Sequence, residues 1–363
     1  MRALASAFAT LVCGCGGSSN TVVDAHHDGA DDSAVDVAPD AISPTLGIVW
    51  EPAGANPIIG NGTCPGWHCT AASDPTLTRA ADGSIGLWFT TVGIVSNGSG
   101  GFVADLDIGH ASAGEDLQFS IDPDASLMTS PSAQPMWDAY AETWFVRRID
   151  NTWNAWFLGY PVDLFHDPGL GQMQSTDGIT WTRPTAPIYQ PTAGAWDSAL
   201  ISGPSVVRGP DGMYRLYYSG VGADGASIGM LTSTDGTTWT PYAANPVFHH
   251  AADGMWDSTV LEQTVQYFAG KYWMWYSGYD GALADTTRIS IGLATSTDGI
   301  TWERSSTNPV LGPGDPGSWN DLRTVSPDVL VDSDGSLVLV AHGQATGDPS
   351  NNQPGRIGIW RSR

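Results

Sequence analysis

The sequence predicts an all-β fold, a five-bladed β-propeller with four antiparallel strands per blade, on three observations. First, a phrase recurs as Ser175-Thr-Asp-Gly-Ile-Thr-Trp181, Ser233-Thr-Asp-Gly-Thr-Thr-Trp239 and Ser296-Thr-Asp-Gly-Ile-Thr-Trp302. A period of about 60 residues with short strands and turns marks a repeat architecture. Second, an Asn-Pro pair follows the second and third copies, at Asn245-Pro246 and Asn308-Pro309. The same tail stands alone near the start, as Trp50 followed by Asn56-Pro57. Third, no stretch sustains a 3.6-residue apolar period, so helix is expected to be minimal.

Each unit opens on Trp-Asp or a variant: Trp67-His68, Trp137-Asp138, Trp196-Asp197, Trp256-Asp257 and Trp319-Asn320. A short apolar strand follows, such as Pro204–Val207. A Gly- or Asp-rich turn leads to an aromatic second strand, at Leu87–Phe89, Ala155–Phe157, Leu216–Tyr218, Tyr272–Tyr276 and Leu337–Val340. The third strand is carried by Ser227–Leu231, Ser290–Leu293 and Arg356–Trp360. The Ser-Thr-Asp-Gly turn joins it to a fourth, because Gly accepts positive φ and Asp bonds its own backbone. Four antiparallel strands repeated in this way describe propeller blades. Fourth-strand aromatics fall at Phe119, Trp181, Trp239 and Trp302. The last unit reaches only its third strand at Trp360, so an N-terminal strand at residues 46–51 is expected to complete the fifth blade and leave no open edge.

Residues 1–15 read as a lipoprotein-type signal peptide. Met1-Arg2 is a short positive start, and the small, apolar Ala3–Val12 falls short of the about 20 residues of a bilayer span. Val12-Cys13-Gly14-Cys15 resembles the bacterial lipobox, which makes Cys15 the lipidated residue; an ordinary signal peptide cut elsewhere is the alternative. Residues 16–45 read as a disordered Asp/Ala/Gly/Ser-rich tether, since Asp24, Asp28, Asp31, Asp32, Asp36 and Asp40 repel one another and little there can be buried. Residues 46–363 are expected to form one propeller domain, exported, monomeric, and lipid-anchored at the bacterial outer membrane or cell surface.

The net charge is -24, with 14 Lys plus Arg against 38 Asp plus Glu. That balance argues against nucleic acid, whose phosphates need a basic face. Abundant aromatics with few cations fit a neutral oligo- or polysaccharide. Cys64 and Cys69 are expected to form a disulfide in an exported chain. With His68 they make only an incomplete zinc set. No cofactor is expected, although the central channel leaves room for a structural calcium.

Propellers bind ligands in the funnel lined by their innermost strands, so the segments after each Trp-Asp are where chemistry is sought. They hold Asp74, Glu142 and Glu262 as catalytic candidates and Asp328 as a substrate-binding candidate, with Ser202 in the third unit. Glycosidic cleavage needs two carboxyls, one to protonate the leaving oxygen and one to act as base or nucleophile. Asp138, Asp197 and Asp257 repeat at equivalent places, which suits a scaffold better than a single site. His342, in Val340-Ala-His-Gly343, replaces Ser219 and Ser277 of other blades and is a candidate for sugar or ion contact. Arg323 is a candidate ligand-binding cation, and Trp67, Trp137, Trp196 and Trp319 are candidate stacking surfaces.

The Ser-Thr-Asp-Gly-x-x-Trp-x5-Asn-Pro unit, the Gly203–Val206 strand and Met274–Gly278 together resemble the five-bladed propeller glycosidases. These are the arabinanases, xylosidases, levansucrases and invertases of glycoside hydrolase families 43, 32 and 68. The resemblance covers residues 46–363. It implies that Asp74, in Asp74-Pro75, is base or nucleophile. It also implies a second-blade carboxylate that tunes its partner, with Glu142 near that place. The third-blade Glu acid of the family is replaced by Ser202, in Ser202-Gly203-Pro204, and Glu262 at the Ser202-equivalent offset of the fourth blade, or else Glu142, is expected to serve as the acid. The related mannoside phosphorylases use phosphate, for which this chain has no basic cluster. The turn also resembles the sialidase Asp-box, but Arg147, Arg148 and Arg323 do not make the arginine cluster that an anionic sugar needs. A glycoside hydrolase acting on neutral glycans is therefore expected; a carbohydrate-binding propeller and a cell-envelope protein-interaction module are the alternatives.

Overall fold

A computed structural model of the chain describes residues 46–60, 71–80, 82–96, 102–122, 137–149, 151–161, 167–284, 286–332, 334–347 and 355–362. Among them there are strands and turns and no helix. A short strand β1 (Glu51–Pro52) is followed by blade 1, with β2 (Ala71–Arg79), β3 (Ile85–Ser96), β4 (Phe102–Ala113) and β5 (Ser120–Ile121). Blade 2 has β6 (Tyr140–Ile149), β7 (Thr152–Tyr160) and β8 (Gly169–Ser175). Blade 3 has β9 (Leu200–Arg208), β10 (Tyr214–Gly222), β11 (Gly225–Ser233) and β12 (Thr240–Pro241). Blade 4 has β13 (Thr259–Phe268), β14 (Lys271–Tyr279), β15 (Ser290–Ser296) and β16 (Glu303–Arg304). Blade 5 has β17 (Arg323–Val331), β18 (Leu337–Gln344) and β19 (Arg356–Ser362), with β1 added at its edge. The innermost strands β2, β6, β9, β13 and β17 neighbour one another in turn, and β17 returns to β2. The expected five-bladed ring is thus closed. The expected fourth strand at Trp181 is reduced to one bridge, Gln174 to Thr182.

The core lies between blades. Trp156 and Leu158 pack with Leu216, Tyr218 and Leu231 of the next blade, and Leu77 and Leu87 pack with Val338 and Val340 across the closure. Each such buried side chain contributes roughly 1.5–3 kcal/mol. The Trp-Asp pairs belong to this scaffold. Asp197 accepts hydrogen bonds from Tyr189 (2.6 Å) and Tyr218 (2.9 Å), and Asp257 accepts from Tyr276 (2.9 Å) and Arg304 (2.7 Å). Trp196 lies over Gly220 and Gly229, where a Cβ would come within 2.5 and 2.3 Å of its ring.

The recurring turn joins blades as well as strands. Ser175, Ser233 and Ser296 accept from the N–H of Gly178, Gly236 and Gly299, each in the left-handed region. The glycine carbonyls accept in turn from Trp88, Gln172 and Tyr217 of the preceding blade. The closure repeats this pattern from two ends of the chain. Gly47 (φ 69°) donates to Ser362 Oγ at 3.0 Å, and its carbonyl accepts from Trp275 Nε1. Residues 46–50 therefore form the turn. The completing strand is shorter and later than expected, Glu51–Pro52 paired with Arg361 and Trp360. Asn56 then extends the ladder with its side chain, donating to Ile359 O (2.9 Å) and accepting from Ile359 N–H (2.8 Å). Asn245 bonds Met230 and Asn308 bonds Leu293 in the same way, which explains the repeated Asn-Pro.

Candidate active site

Every innermost strand carries a bulge at the same place. The pairing slips between Ser73 and Thr76, Glu142 and Phe145, Ser202 and Ser205, Leu261 and Thr264, and Val325 and Asp328. At each bulge one residue is left-handed: Asp74 (φ 49°), Thr143 (53°), Gly203 (56°), Glu262 (49°) and Ser326 (53°). Non-glycine residues adopt this conformation at a cost of roughly 1–3 kcal/mol each, and such residues cluster at functional sites. Pro75, Pro204 and Pro327 follow three of the five, where the interrupted ladder needs no N–H. A hydroxyl on the preceding blade holds the backbone: Thr90 accepts from Thr143 N–H (3.1 Å), Ser219 from Glu262 N–H (2.7 Å) and Ser277 from Ser326 N–H (3.0 Å). This alignment corrects one expectation. Glu262 corresponds to Asp74 and Gly203, whereas the counterpart of Ser202 in blade 4 is Leu261.

The bulges aim three carboxyls toward one place. Asp74 and Glu262 line a cavity of about 30 Å³ with Ser326, Trp144, Phe145 and Gln263, room for a water molecule or two. Ser326 Oγ bridges the two carboxyls, 2.9 Å from Asp74 Oδ1 and 2.5 Å from Glu262 Oε2. Ser73 Oγ donates to the other Asp74 oxygen at 2.8 Å. Glu142 lies within electrostatic reach of both and accepts from Tyr160 Oη at 2.7 Å. Burial, and then the charge of Asp74, push the Glu142 carboxyl up to about 8, against the hydrogen bond from Tyr160. Burial and Asp74 raise Glu262 as well, with the Ser326 contact acting against them and Glu142 adding to the rise. Two buried carboxylic acids therefore stand beside Asp74 at neutral pH, the charge arrangement that acid–base chemistry requires.

His342 occupies in β18 the place that Ser219 and Ser277 hold in β10 and β14, paired opposite Val325. Its Nε2 is buried without a partner among the described residues. Burial lowers its pKa, Asp74 opposes that shift and Arg323 adds to it, so the ring is neutral.

The structure gives the other expected residues different surroundings. Asp328, expected to contact substrate, lines the cavity but has both oxygens engaged by protein groups. Oδ1 accepts from Arg147 Nη2 (2.8 Å) and Thr264 (2.7 Å), and Oδ2 from Thr76 (2.9 Å) and Leu77 N–H (2.7 Å). Arg147 also donates to Leu77 O and Val146 O, so one buried ion pair ties four blades across the channel. Among the described residues no group of three or more His, Cys, Asp or Glu is arranged to hold a metal ion. Arg323 donates to the carbonyls of Ala284 and Thr287 and to Gln344 Oε1, fixing a loop of blade 4.

Trp137, Trp196 and Trp319, expected as stacking surfaces, are partly exposed and lie over glycines of their own blades: Gly159 and Gly169, Gly220 and Gly229, and Gly343 and Gly358. The exposed large apolar side chains among the described residues are Val49, Ile179 and Met255, none of them aromatic. Trp67, Cys15, Cys64 and Cys69 lie outside the described residues. Sequence reasoning missed Ser326, Tyr160 and Arg147. Alignment of Pro75, Pro204 and Pro327 was the available signal for Ser326.

No protein-family model and no curated protein matches the chain. Solved structures do. A structure from work on the GH130 family of mannoside phosphorylases, which contains glycoside hydrolases that target β-1,2-mannosidic linkages in Candida mannan, is 18% identical. It covers 90% of this chain and 96% of its own, with a TM-score of 0.63. A thermostable family-43 glycoside hydrolase is 16% identical over 80% of this chain and 89% of its own, with a TM-score of 0.61. An N-acetylgalactosamine deacetylase from F. plautii in complex with blood group B trisaccharide is 15% identical over 84% and 94%, with a TM-score of 0.62. At identities of 15–18% the likeness is one of fold, and the chain has the five-bladed propeller fold of these carbohydrate-active proteins.

Proposed function

We propose that the protein is a glycoside hydrolase acting on a neutral glycan, with Glu262 as the acid and Asp74 as base or nucleophile. The observation that carries this reading is the meeting of Asp74 and Glu262 in one cavity, with buried Glu142 within electrostatic reach of both. Glu262 protonates the leaving oxygen, and Asp74 either activates the attacking water or attacks the anomeric carbon itself. Glu142, fixed by Tyr160, keeps a third carboxyl close enough to tune the pair. The absence of an acid at Ser202 is met from the fourth blade. A neutral substrate suits a site whose cations Arg147 and Arg323 are already engaged by protein groups. The carbohydrate-binding alternative rests on the partly exposed Trp137, Trp196 and Trp319, which lie against glycines of their own blades.

The test is incubation with arabinan, xylan, fructan and mannan while released sugars are followed. Asp74→Asn and Glu262→Gln are each expected to lower the rate by about 10²–10⁴-fold. Because the acid must hold its proton, kcat/KM should fall on the alkaline side as Glu262 ionises. Release of sugar at an undiminished rate by both variants would overturn the assignment.

A further inference from the structure

Blades 4, 5 and 1 follow one another around the ring, and at the shared bulge position they present Glu262, Ser326 and Asp74 in that order. A serine is therefore interposed between two carboxyls by the symmetry of the fold. Its Oγ lies 2.5 Å from Glu262 Oε2 and 2.9 Å from Asp74 Oδ1. A hydroxyl carries one hydrogen, so it donates to one of these oxygens only. Both contacts are hydrogen bonds only when one carboxyl holds a proton and donates it to Oγ. The other carboxyl then receives the serine hydrogen.

The geometry points to Ser326 as a positioning residue that couples the pair, with Glu262 O–H donating to Ser326 Oγ and Ser326 O–H donating to the Asp74 carboxylate. The serine holds the two groups in opposite protonation states, one ready to give a proton and the other to act as base or nucleophile. A serine hydrogen given to Glu262 would favour its charged form. Given to Asp74 instead, it leaves Oγ to accept from Glu262, so the one hydroxyl favours a neutral Glu262 beside a charged Asp74. Other titratable or charged groups face the pair: Glu142 and Tyr160 from blade 2, Tyr279 from blade 4, and His342 and Asp328 from blade 5, with Arg323 acting on Tyr279 and His342 behind them. They set a common background, but none bridges the two carboxyls. The catalytic consequence rests on the hydrolase reading; the coupling does not.

The fold supplies its own controls. Gly203 holds the equivalent position in blade 3 at φ 56° and Thr143 holds it in blade 2 at φ 53°. Ser326→Gly therefore removes the hydroxyl while keeping an accepted backbone, and Ser326→Thr restores it. Carboxyl-detected NMR titration of the full chain reads Asp74 and Glu262 in the wild type and both variants, with far-UV circular dichroism confirming the fold. In Ser326→Gly the gap between the two titration steps should narrow by on the order of one pH unit, the worth of one hydrogen bond to a charged group. Ser326→Thr should restore it. A gap unchanged or widened in Ser326→Gly would overturn the coupling, whatever the catalytic outcome. Released sugar is scored separately: normal coupling without hydrolysis would refute the proposed activity and leave the role of Ser326 standing. If hydrolysis occurs, the alkaline limb of the pH–rate profile should move to lower pH in Ser326→Gly and return in Ser326→Thr, a shift that a purely structural role would not produce.

Discussion

Arg147 illustrates how one residue's environment overrides the expectation drawn from its type. In the sequence it is one of a pair, Arg147-Arg148, considered only as part of an anion site. In the fold it is buried and ion-paired to Asp328 at 2.8 Å, with carbonyls on two blades accepting from its Nη1. Replacing such a pair as a whole is often harmless, but removing one partner strands the other charge. Arg147→Met should therefore destabilise the protein by about 3–5 kcal/mol, read from urea unfolding. Simultaneous Asp328→Asn should recover part of that loss. The carboxyls of the site were legible because Asp74, Glu142 and Glu262 are unusual residue types at the start of apolar strands. Ser326 was not, because serine also stands in the corresponding segments as Ser73 and Ser202, and only the bulge alignment places it between two acids.

At the scale of strands and turns, the repeats were legible because each repeated residue answers a local need. The Ser-Thr-Asp-Gly turn was expected to be a hairpin, and its glycine φ values bear that out. What could not be read was that the same glycine carbonyl receives a hydrogen bond from the neighbouring blade, since that contact spans 90 residues between Trp88 and Gly178. The Trp-Asp tryptophans read in the sequence as ligand-stacking candidates because an aromatic on a loop resembles a platform. The third-strand glycines, as in Ser227-Ile-Gly-Met-Leu231, are their packing partners. Gly229→Ala should place a methyl within 2.3 Å of the Trp196 ring, and overpacking of this kind costs about 1–3 kcal/mol. The measurement is the unfolding midpoint; an unchanged value would mean that Trp196 is free to move aside.

Across the whole molecule, the buried glutamates link the site to stability. A glutamate ordinarily titrates at 4.5, but folded Glu142 holds its proton to about 8, and Glu262 shifts in the same direction. Below the ordinary value both folded and unfolded chains are protonated and the groups make no pH-dependent difference. As pH rises between these values the unfolded chain loses protons that the folded chain keeps, so stability falls. Thermal melts from pH 4.5 to 8 should show this decline, and Glu142→Gln should flatten it. A slope unchanged in that variant would show that Glu142 is not the group responsible. Ring closure was legible at this scale because the stray Trp50–Pro57 tail had no other blade to join, although the strand it supplies is only two residues long.

That closure makes the point at which the chain starts around the ring arbitrary. Ser362 and Gly47 meet at 3.0 Å as the two halves of a turn that is continuous elsewhere. Joining the chain there with a Thr-Asp pair and cutting it between Ser233 and Gly236 would give a circular permutant with the same five blades. Asp74 and Glu262 would exchange their order along the polypeptide and keep their places in space.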